Sequence, residues 1–207
     1  KNGKNSPGID RCFEDIDNPI DLFKKWFSKA EETEINDPNA VAVATSSKNN
    51  QPNVRMVLLK GLSNEGFVFY TNFNSKKGEE LKENQKASMC FHWKSLRRQV
   101  RVIGKVEVVS KKEADDYYNS RPYKNRISAW ASLQSKTLDK RETFLEKIKV
   151  FEKKYPDANN VPRPQHWSGW RVLPEEIEFW VDGEGRIHER LNYKNKNGKW
   201  EKELLYP

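Results

Sequence analysis

The order of the predicted secondary-structure segments most constrains the fold of this chain. One helix is followed by five strand-like runs with a short helix among them, then by a helical region, and then by four more strand-like runs. The longest of these runs, residues 97–109, alternates valines with polar side chains, which is typical of a half-buried antiparallel strand. Because strands and helices are grouped instead of alternating one by one, we predict an α+β domain. Its sheet is mostly antiparallel and closed into a barrel, with flanking helices.

Local signals give the bounds of these segments. Asn18 is a suitable cap and Pro19 a suitable first residue for the first helix, whose apolar stripe runs from Leu22 to Ala30. We predict strands over residues 40–45, 53–60, 66–71, 86–93, 97–109, 170–173, 177–181, 186–193 and 200–206. The further helices are predicted over residues 75–84, from 111 to 132 with a break at Pro122, and over 139–154.

The chain shows no internal repeat and no linker that would divide it, so we expect a single domain over residues 17–207. Residues 1–16 are polar, contain Gly3, Pro7 and Gly8, and have no hydrophobic period. Such a composition predicts a mobile N-terminal arm.

The formal charge of +8 favours anionic partners, namely nucleic acid, acidic lipid or phosphorylated small molecules. The lysines are spread along the chain, and most aromatic residues follow the core periodicity, so we predict no nucleic-acid partner. No apolar run is long enough to span a membrane. The two cysteines, Cys12 and Cys90, lack the spacing of a metal site and fit a reducing compartment, so we predict no metal and a cytoplasmic location.

The segment Arg186-Ile187-His188-Glu189-Arg190 carries the clearest chemical pattern. Read as a strand of a β-hairpin, it puts Arg186, His188 and Arg190 on one face. Two guanidinium groups beside an imidazole form a surface suited to an anion, with one group that titrates near neutral pH. The alternative interpretation is a solvated strand face.

Further cations and hydrogen-bonding groups occur in three places. Arg55 and Lys60 lie five residues apart in an apolar strand, so they point to opposite faces, or else both reach water at the strand ends. Ser75-Lys76-Lys77-Gly78 puts two cations at a helix N-terminus, a favourable position for phosphate. A helical spacing relates the last group, which combines a phenol, a guanidinium and an amide: Tyr117, Arg121 and Asn125.

Several separated motifs, taken in order, resemble those of the pyridoxamine 5'-phosphate oxidase family from about residue 38 to the C-terminus. They are Arg55-Met-Val-Leu-Leu-Lys60, Phe69-Tyr-Thr-Asn72, Ser75-Lys-Lys-Gly78, Arg98-Gln-Val100, Tyr117 with Ser120-Arg-Pro122, Gln134-Ser135, Ile177-Glu-Phe-Trp180 and Arg186-Ile-His-Glu-Arg190. The resemblance implies a split β-barrel homodimer with FMN between the subunits. It also implies oxidation of pyridoxine or pyridoxamine 5'-phosphate by O2 to pyridoxal 5'-phosphate, with hydrogen peroxide and, from the amine, ammonia as products.

The resemblance further implies a role for each matching position. The residues that would bind the substrate phosphate are Lys60, Tyr117, Arg121 and Asn125. Arg186 and His188 would lie against the pyridine ring as substrate-binding and catalytic residues. The residues that would contact FMN are Arg55, Met56, Val57, Leu58, Tyr70, Thr71, Lys76, Lys77, Gln99, Gln134, Ser135, Trp180 and Arg190.

Four positions depart from the family's usual pattern. Lys76 stands in place of an arginine, which replaces a bidentate phosphate contact by a point charge. Asn125 replaces a serine, Ser168 a glycine, and Leu204 an arginine near the C-terminus. Two other classes stay open on the residues alone: a flavin-binding split barrel that acts on a different ring, and a non-catalytic basic module that binds nucleic acid.

Overall fold

The computed structural model describes residues 13–207. It contains nine strands in this range: β1 Ala40–Ser46, β2 Pro52–Leu58, β3 Gly61–Ser63, β4 Gly66–Asn72, β5 Lys86–Trp93, β6 Arg98–Val108, β7 Trp167–Val181, β8 Glu189–Lys196 and β9 Lys199–Leu205. Its five α-helices are α1 Pro19–Thr33, α2 Lys76–Glu83, α3 Lys111–Ser120, α4 Tyr123–Ala131 and α5 Arg141–Lys154.

The strands form one antiparallel sheet that curls into a half-barrel. Its order is β2-β1-β5-β6-β7-β4-β3, and β8 pairs with both β7 and β9. The 15-residue strand β7 pairs with β4 through its first half and with β8 through its second half, while β6 follows most of its length. The predicted α+β split barrel is therefore confirmed.

Helix α1 supplies the centre of the core. Asn18 caps it through a hydrogen bond from the Ile20 N–H, and Pro19 is its first residue, as predicted. The Phe23 ring packs edge-on against Phe67 and Phe91, each with ring centroids 4.9 Å apart. The curled sheet thus encloses the apolar stripe of α1, and burial of large aromatic rings stabilises this arrangement.

Gly104 produces a bulge in β6. The register of β6 against β7 shifts between Ile103 and Gly104. A Cβ atom at Gly104 would lie 1.9 Å from the carbonyl oxygen of Leu173, so only glycine fits this close approach. The bulge lets β6 follow β7 past Pro174, which explains why the two predicted strands 170–173 and 177–181 are one continuous strand.

Three local predictions were wrong. The second strand ends at Leu58, before Lys60, and a short strand that we did not predict, β3, follows it. Residues 13–16 were assigned to the mobile arm, but Phe13 is buried and stacks on Trp26 with ring centroids 6.0 Å apart. The rest of the predicted arm, including Cys12, lies outside the described residues.

Residues 13–207 lack two features that are typical of other classes of protein. No helix in this range has the length and apolar character that a membrane crossing requires. Within the same range, no three His, Cys, Asp or Glu side chains are grouped so that they could hold a metal ion.

Candidate functional site

A cleft of about 340 Å³ lies between β2, β4, the start of β7 and helices α3 and α4. Ten of the residues predicted for the site line it: Met56, Val57, Leu58, Lys60, Tyr70, Thr71, Lys77, Tyr117, Arg121 and Gln134. Five residues that sequence reasoning missed also line it: Asn72, Ser128, Ala129, Ser132 and Trp167. We call these fifteen residues the cleft set.

Lys77 is the cation on the side of the cleft formed by the start of α2. It lies in the first turn of α2, whose cap is Ser75, and its Nζ donates to Thr71 Oγ1 at 3.0 Å and to Gln134 Oε1 at 3.3 Å. Burial, and after it the positive charge of Arg55, lowers the pKa of Lys77 to about 8. An ammonium group that is desolvated beside another cation, at a helix N-terminus, favours the binding of an anion.

Arg55 does not line the cleft and belongs to a buried ion pair. Its guanidinium donates to the Val43 carbonyl at 3.0 Å, to Thr45 Oγ1 at 2.6 Å and to Glu80 Oε2 at 3.2 Å. Burial alone would raise the pKa of Glu80, but hydrogen bonds from Thr45 and Asn53 and the charge of Arg55 hold it below its ordinary value. A cation in an apolar strand requires an anion nearby, and only the structure identifies Glu80 as that anion.

Arg121 is the cation on the side of the cleft formed by the segment between α3 and α4. Helix α3 ends at Ser120, and Arg121 adopts an extended backbone before Pro122. Its guanidinium lies over the Trp167 ring, 4.6 Å from the centroid, and its Nη1 is buried without a hydrogen-bond partner in the described part of the chain. A buried guanidinium nitrogen that lacks a partner is costly, so this position suits an anionic ligand.

The predicted helical face of Tyr117, Arg121 and Asn125 does not exist, because the chain is extended between α3 and α4. Tyr117 stays at the cleft, where its ring stacks on Tyr70 with centroids 4.0 Å apart. Asn125 is exposed in the first turn of α4 and does not line the cleft, whereas Ser128 of the same helix does. The proline break thus changes which residue of α4 reaches the site.

A second group of predicted residues lies far from the cleft, and we call it the hairpin set. Gln99, Trp180 and Arg190 form a row across β6, β7 and β8, because Trp180 is paired with both of the others. Arg190 is held by Glu178, whose Oε1 accepts from its Nε at 2.7 Å, and by the Tyr206 carbonyl at 2.9 Å. The other members of this set are Arg186 and His188.

The loop between β7 and β8 corrects the prediction for the Arg186–Arg190 segment. Strand β8 begins only at Glu189, and Arg186 is an exposed residue in a 3-10 turn with φ of 66°. A Cβ atom at Gly183 would lie 1.6 Å from the Ile187 carbonyl oxygen, so glycine permits a loop this tight. Arg186, His188 and Arg190 therefore do not share a strand face.

His188 nevertheless has a defined environment within this loop. Its ring packs on Trp180 with centroids 4.6 Å apart. Its Nδ1 lies 3.2 Å from the Gly183 nitrogen and 3.2 Å from Asp182 Oδ1. Lys76 and Ser135, by contrast, are exposed, lie outside both sets and do not line the cleft.

No residue of the hairpin set lines the cleft, and the two sets lie towards opposite ends of β7. Trp167 and Trp180 mark the opposite ends of β7, and the thirteen residue steps between them span roughly 40 Å at about 3.3 Å per residue. The edge strand β2, beside the cleft, exposes Val54 and Met56 by 64% and 63%. An apolar row on an exposed edge strand is typical of a surface that a partner covers.

Comparison with known proteins agrees with this architecture. Residues 27–155 match the family model described as pyridoxamine 5'-phosphate oxidase, and residues 167–207 match the pyridoxine 5'-phosphate oxidase C-terminal dimerisation region, which indicates a homodimer. The chain is 59% identical to the pyridoxine/pyridoxamine 5'-phosphate oxidase of Pelagibacter ubique over the full length of both. It is 51% identical to that of Sinorhizobium fredii, with 94% of this chain and 95% of the relative covered.

Among solved structures, PhzG from Burkholderia lata, in complex with tetrahydrophenazine-1-carboxylic acid, superposes with a TM-score of 0.88. It is 28% identical, and the match covers 94% of this chain and 95% of PhzG. The extent of the family match and the identity to the two oxidases decide the assignment. The chain belongs to the pyridoxamine 5'-phosphate oxidase family.

Proposed function

We propose that this protein is an FMN-dependent oxidase that converts pyridoxamine or pyridoxine 5'-phosphate to pyridoxal 5'-phosphate. O2 is the oxidant, hydrogen peroxide is a product, and the amine substrate also releases ammonia. The family membership supports the reaction. The observation that carries the choice of a phosphorylated substrate is the buried, unpartnered Nη1 of Arg121, in the same cleft as Lys60 and Tyr117.

The residues of the cleft fit FMN as well as the substrate. The desolvated Lys77, together with Thr71 and Gln134, suits the cofactor phosphate, and it is a different cation from the Arg121 that suits the substrate phosphate. Met56, Val57 and Leu58 of β2 line the cleft and provide an apolar wall for a flat ring. When bound, FMN supplies the hydride acceptor and the route of electrons to O2.

We assign the chain's own residues to binding and orientation. Arg121 and Lys60 neutralise the substrate phosphate, and the Tyr117 hydroxyl donates a hydrogen bond to it. Because Tyr70 and Trp167 both stack with Tyr117, they fix its position. The proposed phosphate contact of Asn125 and the proposed FMN contacts of Arg55, Lys76 and Ser135 rest on the resemblance alone.

The hairpin set would reach the cleft of the other subunit across a two-fold axis. In this arrangement Gln99, Trp180 and Arg190 contact FMN, while Arg186 and His188 orient the pyridine ring. The separation of the two sets along β7 and the exposed apolar row of β2 support a shared site. A two-fold dimer would then contain two equivalent sites.

The reaction is tested first. The purified protein should be yellow with flavin absorbance, and it should form peroxide with pyridoxine 5'-phosphate but far more slowly with unphosphorylated pyridoxine. Equal rates with both compounds would contradict the role of Arg121 and favour an oxidase of another ring. A colourless protein that binds oligonucleotides would instead support a basic nucleic-acid module.

The shared site is tested by mixing subunits. Arg121→Ala and His188→Ala protomers, unfolded together in equal amounts and refolded, should recover about a quarter of the wild-type kcat/KM, measured at a substrate concentration far below KM. The reason is that half of the dimers are mixed and each of these has one intact site. If both residues served the same protomer, no recovery would occur.

A cytoplasmic location is also proposed, since the half-buried Cys90 is a free thiol.

A further inference from the structure

Asp182 links His188 to a third residue in a different turn. One carboxylate oxygen, Oδ1, lies 3.2 Å from His188 Nδ1. The other, Oδ2, accepts from Arg97 Nε at 2.7 Å and also from Arg97 Nη2. The backbone N–H of Asp182 donates to the Arg97 carbonyl at 3.0 Å, so side chain and backbone both hold Asp182 against the turn between β5 and β6.

The Nδ1 atom of His188 has two competing partners. The Gly183 N–H can donate to Nδ1 only when this nitrogen carries no proton, whereas a hydrogen bond to the Asp182 carboxylate requires a proton on it. The Asp182 carboxylate oxygen lies 3.2 Å from Nδ1, where its negative charge attracts a proton on this nitrogen and repels the lone pair of the unprotonated form, and this effect of a full charge exceeds that of the neutral Gly183 N–H. Asp182 therefore favours the proton on Nδ1, and without Asp182 the Gly183 N–H would favour the opposite tautomer.

The contacts of the His188 imidazole with Trp180, Asp182 and Gly183 leave one edge of the ring for a ligand. Trp180 covers one face of the ring, and Asp182 and Gly183 occupy Nδ1. Nε2 is then the nitrogen that can contact a substrate, and its role as donor or acceptor depends on which nitrogen of the neutral ring carries the proton.

We propose that Asp182 is a positioning residue that fixes the orientation and tautomer of His188, and that Arg97 holds Asp182 in place. This inference rests on the proposed function, in which His188 contacts the substrate ring. It adds to that function one residue in the loop after β7 and one in the turn after β5, neither of which touches the substrate.

Steady-state kinetics on the flavin-loaded dimer test the inference. Asp182→Ala should lower kcat/KM for pyridoxine 5'-phosphate about 10-fold, mainly through kcat, because the phosphate contacts of the cleft set are unchanged. Asp182→Asn, which keeps the size and an acceptor oxygen, should lose less. Glu184→Ala, which removes an exposed carboxylate from the same loop, serves as the matched control and should match the wild type.

A double-mutant comparison separates positioning from a general structural effect. In the His188→Ala background, Asp182→Ala should cause no further loss, since its effect passes through the imidazole. An equal loss in both backgrounds, or no loss in the single variant, would overturn the inference. A wild-type enzyme that forms no peroxide with either B6 phosphate would overturn the proposed function instead.

A spectroscopic measurement does not depend on turnover. In protein labelled with 15N-histidine, the His188 nitrogens should report a proton on Nδ1 in the wild type and on Nε2 in Asp182→Ala. The His188→Ala variant identifies the signals. A wild type with the proton on Nε2 would overturn the inference even if the kinetic effects were present.

Discussion

The buried ion pair between Arg55 and Glu80 should contribute strongly to stability. The Glu80 side chain is 5% exposed and that of Arg55 19% exposed, and Glu80 also accepts from Thr45 at 2.5 Å. Removing one charge of a buried pair costs about 3–5 kcal/mol, because the other charge stays buried without compensation. Arg55 keeps its bonds to Val43 and Thr45, so we expect Glu80→Gln to lower the free energy of unfolding by about 3 kcal/mol.

Thermal unfolding of the flavin-free protein provides the assay. At about 2–4 °C per kcal/mol for a chain of this size, the expected decrease in Tm is about 6–12 °C. The matched control is Glu79→Gln in the same helix, whose ion pair with Lys136 is about half exposed on both sides. Such a surface pair contributes at most about 1 kcal/mol. Protomer concentration must be equal in all samples, because dimer stability depends on it.

Two results would refute this reasoning. The first is an equal decrease in Tm for both variants. The second concerns pH: the pKa of Glu80 lies below its ordinary value of 4.5, so the stabilisation is fully present above that pH. It is lost only as the pH falls through the lower value of the folded state. A difference between wild type and Glu80→Gln that disappears near neutral pH would therefore exclude the ion pair as its cause.

Three further predictions concern the cleft and the sheet. Arg121→Ala should raise the KM for pyridoxine 5'-phosphate by about 10- to 150-fold in initial-rate assays without loss of flavin, and the exposed neighbour Lys124→Ala should not. FMN affinity, measured by fluorescence titration, should fall as the pH rises through about 8, because Lys77 then loses its charge, and Lys77→Met should remove this step. Gly104→Ala should lower the free energy of unfolding by about 1–3 kcal/mol in a denaturant titration, since its Cβ atom would overlap the Leu173 carbonyl; an unchanged midpoint would mean that the bulge can relax.

Features governed by local interactions could be predicted from the sequence. The cap at Asn18 and the cap of α2 at Ser75 lie where the sequence indicated them, and β5 has the predicted bounds. These features depend on residues a few positions apart, so periodicity and capping preferences suffice to identify them. The ordered motifs also identified the family, because the positions of functional side chains along the chain do not require a structure.

Only the tertiary structure decided which residues lie together in the cleft set and in the hairpin set, and which partners hold them. Glu80 pairs with Arg55 across 25 residues and Asp182 with Arg97 across 85, and no sequence period relates either pair. The strand interpretation of Arg186 failed because a tight loop at Gly183 replaces the first three residues of the predicted strand. The cleft set and the hairpin set are separated because β7 is long and pairs with different strands at its two ends. The side chains that converge on one ligand come from distant segments, and in a shared site from two subunits, so their convergence depends on packing that the sequence does not show.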